Sequence, residues 1–356
     1  MSTPSAQPAP STQSAQSAQP AKPAPPPHAQ LIQMATGFFL SGLVYTAANL
    51  GIADHLANGP KSAEELSGPT GCNSRSLYRF LRALTNFGIL TLGADARFTL
   101  TPLGEALKSD APGLARPTIL TMAGPLSWKA WEQFQYSVET GKPAVDKVFG
   151  MPLFDVLAQQ PEDAARFSET MVSLHGAEPP AVAEAYDFSA LGVVVDVGGA
   201  TGNMLSHILA RYPQPRGVLF DQPHVVTEAP ALLRARGVES RVTIERGSFF
   251  ERVPAGGDAY ILSHVIHDWS DDRCLQILGN CRRAMKPASK LLLVELVLRE
   301  GNAPGFGSSD MTMMALTGGA ERTAQEYATL LAGAGLRMTR VVPTATSASI
   351  VEAVLA

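Results

Sequence analysis

The sequence predicts an α/β protein whose C-terminal half forms a doubly wound parallel sheet and whose N-terminal part forms a smaller helical domain. From Leu191 onward, short apolar runs alternate with helical patterns, as is typical of consecutive βαβ units. The first apolar run ends in a glycine-rich turn that opens directly into a helix. Before residue 116 the pattern is instead helix, turn, helix and hairpin, which predicts a winged helix.

Composition limits the classes of partner. The 356-residue chain is 45% hydrophobic and 17% charged, which is ordinary for a globular protein with two cores. Its net charge of −4 gives no overall attraction to nucleic acid or anionic membranes, so we expect a small-molecule partner. Three cysteines without CxxC spacing predict neither a disulfide framework nor a metal site, and they favour a cytoplasmic location.

Shifts in pattern divide the chain into four parts. Residues 1–28 are rich in Ala, Pro, Ser and Gln, which predicts a disordered low-complexity tail. We expect the winged-helix domain over residues 29–115, a helical linker over 116–186 and the α/β domain over 187–356. The uncharged stretch Met34–Ala53 is long enough to cross a bilayer, but its glycines and polar residues favour a core helix or a helix that pairs with a second subunit.

The winged-helix pattern raises one alternative function. Arg75, Arg79 and Arg82 fall together on one face of the second helix, where a DNA-reading winged helix presents cations. A ligand-sensing DNA-binding regulator is therefore a competing hypothesis. In an acidic chain without another basic cluster, a solvated arginine face is the favoured interpretation.

The α/β domain begins with five predicted parallel strands and ends in an antiparallel hairpin. The parallel strands are Val193–Val197, Gly217–Phe220, Arg241–Glu245, Ala259–Ile266 and Lys290–Val297, and the hairpin pairs Met338–Val342 with Ala348–Leu355. In open sheets of this kind, ligands bind outside the carboxyl ends of the strands. We therefore expect the functional residues to lie where strands end.

The turn after the first strand reads Asp196-Val-Gly-Gly-Ala-Thr-Gly-Asn203 and predicts a cofactor loop. A dinucleotide fingerprint requires glycine at 198, 200 and 203, but this chain has Ala200 and Asn203 at the last two positions. NAD is therefore disfavoured as the cofactor. Gly198, Gly199 and Gly202 match the tighter turn that admits S-adenosylmethionine. Asp221, at the end of the second strand, is placed to hold ribose hydroxyls.

His267 lies where the fourth strand gives way to a helix, so its imidazole is predicted to face the ligand crevice. Imidazole accepts a proton near neutral pH, which indicates an enzyme with a histidine base. The following Asp268 is predicted to accept backbone N–H donors at the turn, and Ser270 to cap the next helix.

At this point the residues resemble the small-molecule O-methyltransferases, typified by plant caffeate and flavonoid enzymes and by bacterial antibiotic-pathway enzymes. The likeness spans about residues 30 to 356 and rests on five segments: Asp196-Val-Gly-Gly with Gly202, Phe220-Asp-Gln-Pro, Gly247-Ser-Phe-Phe250, His267-Asp-Trp-Ser-Asp-Asp272 and Gly319-Ala-Glu-Arg-Thr323. The resemblance implies a Rossmann-like class I methyltransferase sheet with a terminal antiparallel hairpin, and an N-terminal winged-helix dimerisation domain. It also implies a homodimer that methylates a hydroxyl of an aromatic or polyketide-like small molecule with S-adenosyl-L-methionine as the cofactor.

The resemblance assigns roles to individual positions. His267 would be the general base, with Glu295 and Glu321 as its flanking acids. The sequence leaves open which acid supports it; Glu295 could instead pair with a lysine, and Glu321 could be a first-turn helix acid. The cofactor would be held by Gly198, Gly199, Gly202, Asp221, Ser248, Phe249 and His175, and the substrate would touch Phe167, Met171, Met313 and Thr317.

Two positions depart from the family pattern. Ala200 replaces a common glycine, and Ser248 stands where the family usually has an acid that reaches the adenine amino group. Phe249 stacking would then be the remaining adenine contact. A further alternative is a member that keeps the fold and cofactor but decarboxylates or hydroxylates its substrate, against which His267 and both acids argue.

Overall fold

The computed structural model describes residues 25–299 and 307–356. The chain divides into two compact units, Met1–Gly42 and Leu43–Ala356. Residues 1–24, most of the predicted disordered tail, lie outside the described residues. The assignment of four domains remains a prediction.

Two apolar helices open the described part: α1 (Pro27–Ala35) and α2 (Phe38–Asn49). Together Pro27–Asn49 is long and apolar enough, by length and composition alone, to cross a membrane, and only 11% of its most apolar window is buried. The sequence favoured either a core helix or a helix that pairs with a second subunit. A core helix would be mostly buried, so this exposure argues against the core-helix interpretation. The exposed large side chains are Leu31, Ile32, Met34, Phe38, Phe39 and Leu40.

Short helices and a two-stranded hairpin follow, in the predicted order. The elements are α3 (Ile52–Leu56), α4 (Ala63–Thr70), α5 (Ser74–Asn86), β1 (Leu90–Leu92), β2 (Phe98–Leu100) and α6 (Pro102–Glu105). A capping box between Ser62 and Glu65 starts α4, and the two strands pair antiparallel. One face of α5 packs into a core through Leu77, Leu81 and Leu84, while Arg75, Arg79 and Arg82 are exposed, as expected for a solvated arginine face.

Seven helices connect this region to the sheet: α7 (Ala115–Met122), α8 (Pro125–Glu132), α9 (Phe134–Thr140), α10 (Ala144–Phe149), α11 (Leu153–Ala158), α12 (Pro161–His175) and α13 (Glu178–Ala185). Their apolar faces form a separate core around Val145 and Val156. Ala315 and Leu316 of a much later helix, α17 (Gly307–Leu316), complete that core. The linker is therefore packed against the C-terminal part of the chain through buried aliphatic contacts.

The C-terminal part is a mixed sheet. Its strands are β3 (Val193–Val197), β4 (Arg216–Asp221), β5 (Val242–Arg246), β6 (Ala259–Ser263), β7 (Lys290–Leu298), β8 (Arg322–Thr323), β9 (Leu336–Pro343) and β10 (Ala348–Leu355), in spatial order β5-β4-β3-β6-β7-β10-β9 with β8 beside β7. The strands β3 to β8 pair in parallel, and β10 pairs antiparallel with both β7 and β9. The predicted sheet with its terminal hairpin is confirmed.

Helices cover both faces of this sheet and create two cores, as a doubly wound sheet requires. They are α14 (Asn203–Arg211), α15 (Ala229–Ala235), α16 (Asp271–Ala284) and α18 (Ala324–Gly333). The strand order reverses between β3 and β6, because β4 follows β3 on one side and β6 returns to its other side. The crevice at this switch point is where open α/β sheets bind ligands.

Candidate active site

The glycine loop after β3 folds so tightly that side chains would not fit. A Cβ on Gly198 would lie 2.9 Å from Val265, and one on Gly199 would lie 2.5 Å from the Asp196 carboxyl carbon. Gly198 and Gly202 also have positive φ angles of 71° and 80°, which favour glycine. The loop therefore keeps bare backbone beside the start of α14, which is the environment that a cofactor at a helix N-terminus requires.

Asp221 meets this loop at the end of β4. Its carboxylate accepts hydrogen bonds from the backbone N–H groups of Ala200 (3.0 Å) and Gln222 (2.6 Å). Ala200, which stands where the family pattern has a common glycine, has a φ of 48°, in the left-handed region. Glycine adopts this backbone conformation more readily than alanine, which explains the family preference. Burial raises the pKa of Asp221, although both backbone bonds oppose the rise.

Phe249 borders the same loop, whereas Ser248 points into its own turn. The Phe249 ring would lie 3.4 Å from a Cβ placed on Gly198, which is ordinary contact distance, so the ring lies directly beside the loop. The Ser248 hydroxyl accepts the backbone N–H of Phe250 at 3.2 Å and stabilises the turn after β5. Phe249 therefore lies beside the glycine loop, whereas the Ser248 hydroxyl stabilises its own turn.

His267 lies in a single 3-10 turn, Ile266–Asp268, which begins three residues beyond the end of β6 at Ser263. The prediction that the strand runs to Ile266 is therefore wrong at its end, because the backbone N–H groups of Val265 and Ile266 bond to the Glu295 carboxylate instead of to a strand. Ser270 occupies the N-cap position of α16, but its side chain makes no cap hydrogen bond. The expected Ser270 cap is therefore wrong.

A second segment fixes this turn from the other side. The carbonyl oxygen of His267 accepts the backbone N–H of Ala320 at 3.0 Å. The buried Arg322 guanidinium donates to the carbonyl oxygens of Ile266 (3.2 Å) and Trp269 (3.3 Å) and to Asp271 (2.7 Å). Gly319 lies directly against the His267 carbonyl, where a Cβ would be 2.7 Å from the Trp269 nitrogen. Arg322 is thus a positioning residue that sequence reasoning missed, although it stands beside the predicted Glu321.

Both predicted acids contact the same nitrogen of His267. Its Nδ1 lies 3.2 Å from Glu295 Oε2 and 3.5 Å from Glu321 Oε1. Glu295 is fully buried in β7, and within the described residues it has no lysine partner, so the alternative of a Glu295–lysine pair is wrong. Ser309 donates to Glu321 at 2.7 Å, and the pairing of β8 with β7 carries Glu321 to its place.

The buried carboxylates change the acidity of the histidine. Burial by itself lowers the pKa of His267, but Glu295, Asp268 and Glu321 outweigh it and raise that pKa to about 10. Burial raises the pKa of Glu295 to about 7 and that of Asp268 to about 6. Asp268 Oδ1 lies 3.6 Å from His267 Nε2, and no backbone donor bonds to the Asp268 side chain among the described residues, contrary to our prediction. The three carboxylates therefore favour the protonated form of His267.

The predicted substrate residues lie on helix α12 and at the C-terminal end of α17. Phe167 packs edge-on against Phe154, with ring centroids 6.4 Å apart, and Phe154 in turn lies 5.9 Å from the Trp269 ring beside His267. Met171 is half-buried one helical turn beyond Phe167. Met313 on α17 and Thr317, the residue directly after this helix, are half-buried, and the Thr317 hydroxyl donates to the Met313 carbonyl at 3.1 Å.

His175, a predicted cofactor contact, has different partners from those expected. Its ring lies against that of His264, with centroids 3.8 Å apart, and its Nδ1 is 3.3 Å from Glu178. Glu178 also contacts His264 at 2.5 Å. Sequence reasoning missed both residues, although His264 stands only three positions before His267. The groups His175–Glu178–His264 and His264–His267–Glu295 each bring three potential metal ligands within 4.8 Å of one another.

The fold and site together define a class I methyltransferase: a mixed sheet with a terminal hairpin, a bare glycine loop and a histidine between two acids at the switch point. Two family models match the chain, the O-methyltransferase domain over residues 131–337 and the O-methyltransferase dimerisation domain over residues 32–110. The chain belongs to the O-methyltransferase family, and S-adenosylmethionine is its cofactor.

Individual relatives agree with this assignment. The phenazine O-methyltransferase PhzM of Lysobacter antibioticus is 45% identical over 324 residues, which cover 91% of this chain and 95% of PhzM. The structure of the mitomycin 7-O-methyltransferase MmcR superimposes with a TM-score of 0.88 at 35% identity, over 92% of this chain and 98% of MmcR. NcsB1, solved with S-adenosylmethionine and 2-hydroxy-5-methyl naphthoic acid, gives a TM-score of 0.83 at 31% identity, over 91% of this chain and 98% of NcsB1.

The residues present fit this cofactor. The glycine loop leaves a cradle that a single Cβ at Gly198 or Gly199 would fill. Asp221 presents a carboxylate at its edge, and the Phe249 ring offers an apolar face beside Gly198.

Proposed function

We propose that this enzyme transfers a methyl group from S-adenosylmethionine to a hydroxyl of an aromatic or polyketide-like small molecule, with His267 as the general base. The observation that carries the proposal is the pair of contacts between His267 Nδ1 and the two acids Glu295 and Glu321. The relatives named for phenazine and mitomycin O-methylation support an aromatic acceptor.

The sulfonium of the cofactor supplies an activated methyl group, so the protein's own work is to bind, orient and deprotonate. Gly198, Gly199 and Gly202 would hold the cofactor by backbone, with Asp221 at the ribose and Phe249 at the adenine. Ser248 and His175 are further candidate contacts, but each is already hydrogen-bonded or ion-paired to a neighbouring group of the protein.

His267 would accept the acceptor's hydroxyl proton at Nε2, because Nδ1 faces the two acids. A carboxylate behind an imidazole stabilises the imidazolium that forms, as the acid does in a serine hydrolase triad. A phenol near pKa 10 keeps its proton at neutral pH, so removal during methyl transfer avoids the cost of forming a free phenolate first.

Phe167, Met171, Met313 and Thr317 are proposed to line the acceptor side of the crevice. The aromatic series from Phe167 through Phe154 to Trp269 gives this side flat apolar surfaces, which suit a planar acceptor. The nearly unburied Pro27–Asn49 helices, which the matched dimerisation domain overlaps, are proposed to pair with a second copy of the chain. We expect this homodimer to be cytoplasmic, with no nucleic acid or membrane partner.

The test is a His267→Ala variant assayed with labelled S-adenosylmethionine and a panel of hydroxylated phenazines and naphthoates. We expect S-adenosylhomocysteine binding to be unchanged by calorimetry, while turnover falls by about 10²-fold or more, the usual effect of removing a general base. His55→Ala, a histidine on α3, serves as the matched control. Turnover within threefold of the parent in His267→Ala would contradict the assignment of the base.

A further inference from the structure

The two acids at His267 Nδ1 are held in different ways. Glu295 Oε1 accepts two backbone N–H groups from the segment that leads into His267, so the backbone itself fixes that carboxylate. The Glu321 carboxylate has no backbone donor among the described residues. Its Oε1 accepts the Ser309 hydroxyl at 2.7 Å, and its Oε2 is buried without a hydrogen-bond partner. The place of the Glu321 carboxylate therefore depends on one side-chain donor.

Ser309 bonds to the carboxylate oxygen that faces the histidine. Glu321 Oε1 lies 3.5 Å from His267 Nδ1, and the same atom accepts the Ser309 hydroxyl. A carboxylate oxygen has two lone pairs, so it can accept from both groups at once. The Glu321 side chain is only 2% exposed, which leaves little access for water to replace a lost donor. Removal of the Ser309 hydroxyl would therefore leave the carboxylate free to turn away from His267.

The backbone of Glu321 is tied to the same helix as its side chain. Just after the end of α17, the N–H groups of Thr317 and Gly318 donate to the Met313 carbonyl oxygen, at 3.0 and 2.9 Å. Gly318 has a φ of 75°, the left-handed conformation in which chains commonly leave a helix. The Glu321 N–H then donates at 3.0 Å to Oδ1 of Asp310, in the first turn of α17. Both parts of Glu321 are thus bonded to α17.

The helix α17 is itself packed into a core. Its last two residues, Ala315 and Leu316, are buried in the same cluster as Val145 of the linker helices. Met313, on the same helix, is half-buried and belongs to the residues proposed to line the acceptor side. The helix that bonds to Glu321 therefore also borders the proposed acceptor, so one element supports both.

We propose that Ser309 is a positioning residue for methyl transfer, which holds Glu321 Oε1 toward His267 Nδ1. A carboxylate behind the imidazole keeps the ring in the orientation in which Nε2 faces the acceptor. Asp310 supports this role, because it fixes the Glu321 backbone. Neither residue touches the reacting atoms, and both act through Glu321. This inference rests on the proposed role of His267 as the base.

The first test is structural and needs no acceptor. Crystal structures of the full-length parent, Ser309→Ala and Ser309→Thr enzymes with S-adenosylhomocysteine give the distance from Glu321 Oε1 to His267 Nδ1. We expect the parent and Ser309→Thr to keep these atoms within about 4 Å, the range of an ion pair, and Ser309→Ala to lose the contact. A Glu321 carboxylate that stays in place in Ser309→Ala overturns the proposal. So does loss of the contact in Ser309→Thr, because the hydroxyl is present there.

Turnover is measured with labelled S-adenosylmethionine and the panel of hydroxylated phenazines and naphthoates. Ser309→Ala should lose about 10-fold in kcat, the value of a hydrogen bond to a charged group, with little change in the KM of the cofactor. Ser309→Thr should restore the parent kcat. The matched control is Ser168→Ala, an exposed position whose hydroxyl bonds only to a carbonyl of its own helix. A kcat of Ser309→Ala equal to that of Ser168→Ala would contradict the proposal.

A double-mutant cycle separates positioning from a structural role. Glu321→Ala, checked for folding by thermal unfolding, removes the acid through which Ser309 is proposed to act. In that background, Ser309→Ala should leave kcat nearly unchanged, because the two side chains contribute as a unit. A structural role of Ser309 in α17 would instead lower kcat by the same factor in both backgrounds. Equal losses in the two backgrounds therefore overturn the proposal.

The two proposals fail separately. If His267→Ala retains turnover, the base assignment is wrong wherever the Glu321 carboxylate lies in Ser309→Ala. If His267→Ala is inactive while Glu321 stays beside His267 in Ser309→Ala, only the positioning role of Ser309 is wrong.

Discussion

Replacement of Gly319 by alanine tests whether the His267 turn must sit in one position. Gly319 packs against the carbonyl of His267, and an added Cβ would lie 2.6 Å from the Asp268 carbonyl carbon and 2.7 Å from the Trp269 nitrogen. Ordinary contacts to a Cβ begin at 3.4 Å. Both clashing groups are backbone, so neither can rotate away as a flexible side chain could.

The required shift sets the expected loss of activity. A Cβ would lie 1.9 Å from the His267 carbonyl oxygen, so the turn and Gly319 must separate by about 1.5 Å (3.4 Å less 1.9 Å) to restore ordinary contact, and a displacement of about 1 Å at a catalytic group already costs about 10²-fold in rate. The same movement stretches the 3.0 Å hydrogen bond from Ala320 to the His267 carbonyl. We therefore expect Gly319→Ala to lose about 10²-fold in turnover while the fold survives.

The assay is steady-state methyl transfer with labelled S-adenosylmethionine, accompanied by thermal unfolding and calorimetric binding of S-adenosylhomocysteine. Gly68→Ala is the matched control, because nothing lies within 4 Å of a Cβ there and the residue is helical in α4. Cofactor binding should be nearly unchanged in both variants. Turnover of Gly319→Ala within threefold of Gly68→Ala would refute the argument that this contact positions the base.

Three further predictions concern acidity, the cofactor and stability. With His267 as the proposed base, only its unprotonated form is active, and nearby carboxylates raise its pKa to about 10. We therefore expect kcat/KM to rise with pH above 6.5 and Glu321→Gln to move the inflection to lower pH; a plateau already reached at pH 6.5 would contradict this. Asp221→Ala should weaken S-adenosylhomocysteine binding by about 10-fold or more, the value of a hydrogen bond to a charged group, and calorimetry showing an unchanged Kd would exclude the ribose role. Arg322→Met should cost about 1–3 kcal/mol of unfolding free energy, because the carbonyl oxygens of Ile266 and Trp269 lose their guanidinium donor, and denaturant unfolding like that of the exposed Arg79→Met would contradict it.

The fold was predictable because its signals are local. Alternating apolar runs and helical patterns after Leu191, a glycine turn after the first run and a short connection between the last two runs are each visible within a few residues. The end of β6 was not predictable, because Ile266 is apolar and continues the run. It leaves the strand since its N–H bonds to the Glu295 carboxylate, 29 positions away.

The site was predictable in part. His267, Glu295 and Glu321 were identified through the family resemblance, and the structure brings all three together. The resemblance left open which acid supports the histidine, and only the geometry shows that both reach Nδ1. Glu178 and Arg322 gave no usable signal, because a glutamate before two prolines and an arginine in a strand are ordinary surface patterns until their partners are known.

By itself, the sequence determined the fold class and indicated the cofactor loop and the proposed base, because these depend on short motifs and on the two periodicities of helix and strand. Tertiary structure decided the electrostatics of the site. The two carboxylates at His267 Nδ1 come from β7 and from the segment before β8, so their effect on the pKa of this histidine depends on distances that only the folded sheet sets.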